Sequence, residues 1–354
     1  MNHVSIKPVW TIQGRNGQAL SPRLIELLTQ VHRTGSLQAA CKGLTMSYRH
    51  GWTLVRDGEA IFNTPLLHMA RGKGSQLTPL GEKLVWADQR IAARLEPVLD
   101  SLASELQAEM GALLPAGPDT PPTPLRLHAS HGYAIEKLVA ALGEQGHPVE
   151  RRYGSSVEAV AGACDVCGFH IPQGPLQAAA WAHYAAWLTG DGWQVLEVAT
   201  RRQGLILAPG NPHKVYELAD LSRPGVRFVN RPPNSGTRFL LHGLLQEKGL
   251  GEAGIQGFEH TENTHAAVAA VVASGRADVG FGLEAAARQF KLDFLPLARE
   301  RYFLVCHTTT LDTPALQHAV AVLSSPAFQA LVNGLPGYEA RHTGRITPWV
   351  SAFC

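Results

Sequence analysis

Apolar residues in the first third of the chain recur at helical spacing, and short capping motifs interrupt them. Ser21-Pro22 begins a first helix and Gly35 ends it, with leucines and a valine on one face. Ser36 caps a second, short helix and Ser47 caps a third. Because only the short turn 43–46 separates these last two helices, the pattern predicts a helix-turn-helix.

The residues after the third helix predict a β-hairpin followed by a long helix. Two short apolar runs flank the basic, glycine-rich stretch Arg71–Gly74, which is typical of a hairpin tip, or wing. Thr78-Pro79 then begins a helix that extends to about Met110, with apolar residues at spacings of three and four. Since such a stripe is unfavourable in water, we expect the helix to pair with a second copy of the chain, as a homodimer or a higher homo-oligomer.

The charge distribution is informative about function only at this end of the chain. The formal net charge is +2, but residues 33–73 carry six basic and two acidic side chains. A basic winged helix-turn-helix indicates double-stranded operator DNA as a partner, with the third helix in the major groove. A small helical domain with a solvated basic face is the alternative. The predicted DNA-contacting residues are Ser36, Ser47, Tyr48, Arg49, Arg56, Arg71 and Lys73.

The remainder of the chain predicts a linker and a two-lobed α/β domain. Residues 111–124 contain five prolines and two glycines, which is typical of a semi-rigid linker. Beyond them, short apolar strands alternate with helices, which favours parallel sheets, and two chain crossings near Arg202 and Pro296 predict a hinge. We therefore expect a DNA-binding and dimerisation domain at 1–110, the linker at 111–124, and an effector-binding domain at 125–354.

Two stretches of the α/β part each predict a pair of strands. In residues 193–209, strand-like runs are broken by Thr200–Gln203, and in residues 292–307 the runs LDFLPLA and RYFLVCH follow one another. The break in the first stretch and Pro296 in the second lie at the two chain crossings of the expected hinge.

Small hydroxyl residues and glycines lie where strands or loops meet helix N-termini in the α/β part. Free backbone N–H groups and the helix dipole suit an anion at such places, and nearby arginines add charge-assisted hydrogen bonds. Taken one loop at a time, ordinary helix capping explains these residues equally well. Because three such loops converge, we predict a small-anion site at Ser130, His131, Ser155, Ser156, His170, Arg202, Ser235, Gly236, Thr237 and Arg238.

The N-terminal residues resemble a known family. The matching residues cover about 18–105 and are Gly35-Ser36-Leu37, Ala39-Ala40, Ser47-Tyr48-Arg49, Trp52, Gly72-Lys73-Gly74 and Leu77-Thr78 to Gly81. They look like the N-terminal domain of ModE-type molybdate-responsive regulators, which is related to the LysR-type DNA-binding domain. The resemblance implies a winged helix that dimerises through the long helix.

The C-terminal part resembles the type II periplasmic-binding-protein fold, in a branch described as molybdate- or tungstate-binding-like. The matching residues are Ser130-His131, Asp165, Gly168-Phe169-His170, Arg202–Leu205, Asn211-Pro212, Asn230-Arg231, Ser235–Arg238 and Ala277–Gly280. The resemblance implies a molybdate, tungstate or related oxyanion effector and no further cofactor. An organic acid, another small metabolite or a phosphate-bearing cofactor fragment stays open as the effector.

Other classes of function have less support in the sequence. Cys164 and Cys167 have the CxxC spacing, but residues i and i+3 of a strand point to opposite faces and no second CxxC exists, so neither zinc nor redox chemistry is predicted. No catalytic triad or phosphate-binding loop is found, so no enzyme is expected. The chain has no run of 18 apolar residues, and its few cysteines favour the cytoplasm. A transport binding protein and an enzyme built on the α/β part are the rival hypotheses.

Overall fold

The computed structural model describes residues 4–15, 17–70, 74–113, 123–154, 164–188 and 191–352. The chain forms two compact units, one of Lys7–Leu95 and the other of Met1–Ile6 with Glu96–Cys354. The elements before the α/β part are α1 (Pro22–Thr34), α2 (Leu37–Gly43), α3 (Tyr48–Phe62), β1 (Leu67–Ala70), β2 (Gly74–Leu77) and α4 (Pro79–Ala112).

The predicted helix-turn-helix and hairpin are present in the first unit, and local hydrogen bonds define them. Ser36 Oγ accepts the N–H of Ala39, and Ser47 Oγ accepts that of His50, so α2 and α3 each begin at a capping serine. The hairpin of β1 and β2 is antiparallel. Ser75 Oγ accepts the Leu37 N–H at 3.0 Å, which ties the hairpin to the start of α2.

A leucine-rich core holds the first unit together. The predicted apolar face of α1 is fully buried, and apolar residues of α2, α3 and the hairpin pack against it. Gly51 of α3 lies so close to Cys41 of α2 that a Cβ at this position would overlap the sulfur. The close crossing of the two helices therefore needs glycine here.

The second unit contains one mixed sheet flanked by helices. Its helices are α5 (Tyr133–Glu144), α6 (Gln177–Ala185), α7 (Gly236–Glu247), α8 (His265–Ala273), α9 (Glu284–Gln289), α10 (Thr308–Leu311), α11 (Pro314–Ser324) and α12 (Pro326–Asn333). Its strands are β3 (Leu125–Ala129), β4 (Val149–Tyr153), β5 (Val166–Pro172), β6 (Trp193–Leu207), β7 (Phe228–Val229), β8 (Val279–Leu283), β9 (Asp293–His307), β10 (Tyr338–Glu339) and β11 (Ile346–Pro348). Short 3-10 helices lie at Leu218–Ser222 and Trp349–Ser351.

The strand order is β4-β3-β5-β9-β6-β8-β7, with β10 and β11 also paired to β6. The prediction of an α/β fold is confirmed, but the expectation of parallel sheets is wrong for the middle of the sheet. Pairs β3/β4, β3/β5 and β7/β8 are parallel, whereas β5/β9, β6/β9 and β6/β8 are antiparallel. Strands β6 and β9 run in opposite directions, and each is also antiparallel to its other neighbour in the sheet, β8 and β5 respectively.

Strands β6 and β9 correct the prediction of two strand pairs, because each is one continuous strand of 15 residues. They pair along their whole length, with register shifts between Glu197 and Ala199 and between Gln203 and Gly204. One apolar core packs around their ends at 196–199 and 302–306, and a second core packs around 205–207. The chain therefore crosses twice between two lobes, as the expected hinge requires, without a break in either strand.

The C-terminal half of α4 covers the open edge of β4. Ser104 Oγ accepts the Arg151 N–H at 2.9 Å, and Ser101 Oγ accepts the Tyr153 N–H at 3.0 Å. Asp100 forms an ion pair with the Arg151 side chain at 3.1 Å. Serine hydroxyls thus satisfy an edge that would otherwise be left unpaired.

Within the described residues, no single helix is both long and apolar enough to cross a membrane. Helices α11 and α12, bent at 61° to one another, reach that length and apolarity only as a pair.

Candidate functional site

A buried ion pair lies at the point where β6 and β9 pass from one core to the other. Arg201 Nε donates to Glu300 Oε1 at 2.6 Å, and these two residues are direct neighbours across the strands. Both side chains are fully buried, and the Arg201 guanidinium lies 4.5 Å from the centre of the Tyr302 ring. Although burial favours the neutral acid, Arg201 and then His170 lower the pKa of Glu300 to about 2, so the carboxylate is charged.

His170 extends this pair toward the second lobe. Its Nδ1 lies 3.0 Å from Glu300 Oε2, and its ring lies against Gly236, where a Cβ would overlap the imidazole. Gly236 is the first residue of α7, whose N-cap is Ser235. The start of a second-lobe helix therefore contacts a histidine from a first-lobe strand.

Arg231 brings a second buried guanidinium to the same place. It follows β7, is 9% exposed, and its Nε and Nη1 atoms have no hydrogen-bond partner among the described residues. Burial, followed by the charge of Arg201, lowers the pKa of Arg231 to about 10 despite the attraction of Glu300. A buried arginine with two unused donors is costly for a folded protein unless a ligand uses them.

His265, at the start of α8, completes the cluster and is 6% exposed. In the described part of the chain its Nδ1 has no hydrogen-bond partner. Burial, and then the charges of Arg231 and Arg201, hold the pKa of His265 well below its usual value, so its imidazole is neutral. His265 therefore offers an uncharged ring nitrogen beside two guanidinium groups.

The arrangement suits a compact anion. Arg201 and Arg231 carry two positive charges, and Glu300, which pairs with Arg201, supplies one negative charge. The unpaired donors Nε and Nη1 of Arg231 lie on different edges of its guanidinium, and each can donate a charge-assisted hydrogen bond to an oxygen of an anion. The described residues contain no group of three or more histidine, cysteine, aspartate or glutamate side chains that could hold a metal ion. We call Arg201, Arg231, His170, His265 and Glu300 the arginine cluster.

Several of the predicted ligand residues surround the arginine cluster. The Ser130 carbonyl accepts the Tyr302 O–H at 3.4 Å, and a Cβ at Gly132, in the same loop, would lie 3.3 Å from Arg201 Nη1. His131 Nε2 lies 2.5 Å from Glu136 Oε1 at the start of α5. The structure therefore brings the Ser130–Gly132 loop close to Arg201.

The first turn of α7 is the second predicted loop at the cluster. Thr237 is 2% exposed, and Ser235 Oγ accepts the Arg238 N–H at 3.4 Å, so this serine acts as an N-cap. Its neighbour Gly236 contacts His170, as described above.

The predicted arginines lie elsewhere. Arg202 points to the opposite side of β6 from Arg201 and pairs with Glu284 at 3.1 Å, while 45% of its side chain stays exposed. Arg238 pairs with Glu259 at 2.6 Å and lies over the Phe258 ring. Ser155 and Ser156 fall outside the described residues.

Arg201, Arg231, His265 and Glu300 are not among the residues that the sequence predicts for the anion site. The alternation of buried and exposed residues along a strand could have indicated Arg201, because successive residues of a strand face opposite sides. Arg201 is buried and Arg202 exposed, which is the alternation expected once β6 is taken as continuous. Because the sequence predicts a strand break at Thr200–Gln203, the alternation rule does not extend to Arg201 and Arg202.

The predicted DNA-contacting residues on α3 lie on its exposed face. Arg49, Thr53 and Arg56 are exposed and follow the i, i+4, i+7 spacing, whereas Gly51 and Leu54 are buried. Tyr48 is 43% exposed, and its ring meets Trp52 edge-on. Ser36 and Ser47 are the capping serines, and Arg71 and Lys73 are not among the described residues.

These features define a class of protein with a winged helix-turn-helix unit and a two-lobed α/β unit that holds a buried cationic cluster. The family model described as the PBP superfamily domain matches residues 144–324. The chain belongs to the PBP superfamily.

Curated relatives match different portions of the chain. The uncharacterized protein YvgK of Bacillus subtilis is 31% identical over 192 residues, which cover 54% of this chain and 62% of YvgK. The molybdenum-pterin-binding protein MopB of Rhodobacter capsulatus is 27% identical over 151 residues, covering 42% and 54%. The transcriptional regulator ModE of Yersinia pestis is 30% identical over 88 residues, covering 24% and 34%. The chain thus spans less than two thirds of each of these relatives.

A solved structure of Corynebacterium glutamicum OxyR, a cysteine-to-serine mutant with bound H2O2, aligns over 89% of this chain and 94% of its own. The TM-score is 0.44 and the identity 15%.

Proposed function

We propose that the chain is a DNA-binding transcription regulator whose α/β unit binds a small anionic effector. The observation that carries the proposal is Arg231, a buried arginine with two unused donors inside a PBP-superfamily unit that is joined to a helix-turn-helix. The proposed division is a DNA-binding and dimerisation domain at 1–110, a linker at 111–124 and an effector domain at 125–354. The similarity to ModE of Yersinia pestis, described as a transcriptional regulator, supports this role.

The DNA-binding surface is the exposed face of α3 together with the wing. Arg49 lies in the first turn of α3, and Arg56 lies two turns further along the same face. Arginine reads guanine in the major groove through two parallel hydrogen bonds. Arg71 and Lys73 at the wing contact phosphate without regard to sequence.

The effector is an oxyanion held by the arginine cluster, with molybdate, tungstate or a related molybdenum-containing ligand as the first candidates. The named ligand of MopB supports this choice, as does the excess positive charge of Arg201 and Arg231 over Glu300. An organic acid bound through its carboxylate is the second candidate, since a carboxylate oxygen also accepts a charge-assisted hydrogen bond from an unpaired donor of Arg231.

Dimerisation through α4 follows from its exposed apolar residues. Val98, Leu102, Leu106 and Met110 recur at four-residue spacing and are between 42% and 56% exposed. A contiguous stripe of this kind marks a protein interface. A second copy of the chain covers it in the proposed dimer.

The deciding experiment is a thermal-shift screen of the full chain with molybdate, tungstate, sulfate, phosphate, nitrate, formate and pterin compounds. Duplex DNA selected from a random pool is then titrated by mobility shift with and without the best ligand. A stabilising oxyanion that changes DNA affinity supports the proposal. Tight solute binding without any DNA binding favours a transport binding protein, and turnover of a ligand favours an enzyme.

A further inference from the structure

Two cysteine sulfurs lie 3.0 Å apart at the start of β5. Cys164 Sγ and Cys167 Sγ are in direct contact, although residues three apart on a strand face opposite sides. The reason is that Cys164 precedes the strand and a bend at Asp165 turns its side chain toward Cys167. The spacing argument that spoke against redox chemistry therefore does not apply to this pair.

Arg126 of β3 fixes the bend. Asp165 Oδ2 accepts the Arg126 N–H at 2.8 Å, and Asp165 Oδ1 accepts from Nη2 of the same arginine at 2.7 Å. The Asp165 N–H in turn donates to the Arg126 carbonyl at 2.9 Å. Because backbone and side chain are both held, the contact between the two sulfurs is preorganised rather than a chance approach.

The two thiols differ in environment. Cys164 is partly exposed, and a hydrogen bond from Cys167 lowers its pKa, helped by the Arg126 charge and the His128 backbone. Cys167 is buried, and its hydrogen bond to Cys164, followed by burial, raises its pKa. A partly exposed thiol with a lowered pKa beside a buried thiol with a raised pKa is the pairing found in reactive dithiols.

We propose that Cys164 and Cys167 form a peroxide-reactive dithiol that closes to an intramolecular disulfide. The Cys164 thiolate attacks one oxygen of a hydroperoxide, so an S–O bond forms, the O–O bond breaks and the hydroxide or alkoxide that leaves takes up a proton. Cys167 then attacks the sulfur of the Cys164 sulfenic acid, an S–S bond forms, and water leaves with the thiol proton. Two thiols and one hydrogen peroxide give one disulfide and two waters.

The sulfurs need to approach by only about 1 Å, because a disulfide bond is about 2 Å long. The dithiol does not depend on the arginine cluster or on DNA binding. Its test therefore stands apart from that of the proposed function.

The experiment treats the full reduced chain with hydrogen peroxide at neutral pH and follows free thiols and intact mass over time. The wild type is expected to lose two thiols and the mass of two hydrogen atoms, with the bridge mapped to Cys164 and Cys167. Cys306→Ser is the matched control, since Cys306 is also buried but lies on β9, and it is expected to react like the wild type.

The single variants separate the roles of the two sulfurs. Cys164→Ser is expected to form no intramolecular bridge, whereas Cys167→Ser is expected to stop at a sulfenic acid that a dimedone probe traps. Asp165→Asn keeps both thiols but weakens their positioning, and it should slow bridge formation roughly tenfold, the effect of about one charge-assisted hydrogen bond. Far-ultraviolet circular dichroism confirms that each variant is folded.

Three outcomes would overturn the proposal. These are a wild-type chain that keeps both thiols, a bridge that maps to another cysteine pair, and equal rates of thiol loss in the wild type and Cys164→Ser.

Discussion

Replacing Arg231 with methionine separates ligand binding from folding, because the two effects have opposite signs. Methionine keeps most of the aliphatic length of the side chain but removes the charge and all its donors. The lowered pKa of Arg231, from 12.5 to about 10, corresponds to about 3 kcal/mol of unfavourable free energy for the charged side chain. Because its Nε and Nη1 donors have no partner among the described residues to lose, removing this guanidinium relieves the cost of burying an uncompensated charge.

The ligand-free variant should therefore unfold at a temperature equal to the wild type or a few degrees higher, since about 1 kcal/mol shifts the midpoint by about 2–4 °C in a domain of this size. Binding should respond in the other direction. Loss of two hydrogen bonds from a charged donor, at Nε and Nη1, removes about 3–6 kcal/mol. The dissociation constant for the best oxyanion of the screen should rise by about two to four powers of ten.

Differential scanning calorimetry without ligand and isothermal titration calorimetry with it measure the two effects. Arg276→Met is the matched control, because Arg276 is an exposed arginine of the same unit that follows α8. The control should leave both the midpoint and the affinity unchanged. An Arg231→Met variant that unfolds well below the wild type, or one that binds the oxyanion as tightly as the wild type, would contradict the role proposed for Arg231.

Three further predictions concern DNA, assembly and pH. Arg49→Ala should weaken binding to selected duplex DNA by about 1–3 kcal/mol in a mobility shift, and it should weaken binding to unselected DNA less. If the variant binds the selected site as tightly as the wild type, α3 is not the helix that contacts the bases. Val98→Glu places a charge on the exposed stripe of α4 and should shift the full chain from dimer toward monomer in sedimentation, whereas an unchanged dimer would locate the interface elsewhere. Glu300 has its pKa lowered from 4.5 to about 2, so its charge stabilises the fold above pH 4.5 and this contribution is lost as pH falls toward about 2. Glu300→Gln should flatten the acid limb of the unfolding free energy measured by denaturant titration, and an unchanged limb would show that Glu300 is not the group responsible.

The sequence by itself determined the elements whose causes are local. Ser36 and Ser47 cap their helices in the structure as the sequence indicated, and Gly35 takes the left-handed conformation that ends α1. Capping and turn formation depend on atoms within a few residues of each other, so the pattern of residues is sufficient to predict them. The helix-turn-helix, the hairpin and the α/β alternation were predictable for that reason.

The loops of the candidate site were predictable in part. The Ser130–Gly132 loop and Gly236 do lie beside the arginine cluster, because both follow from strand and helix boundaries. The charged residues of the arginine cluster could not be predicted from these boundaries. Arg201 and Arg202 are adjacent in sequence, and only the face of β6 that each occupies distinguishes a buried ion pair from an exposed one.

Only the tertiary structure decided which side chains meet. Glu300 neighbours Arg201 because β6 and β9 pair along fifteen residues, and Arg231 joins them because the second lobe packs against the same strands. The cysteine pair makes the same point on a smaller scale, since its contact depends on a bend that Arg126 holds from another strand. Contacts between residues about a hundred positions apart depend on strand register and packing, and one residue of register reverses every face, so spacing along the chain does not specify them.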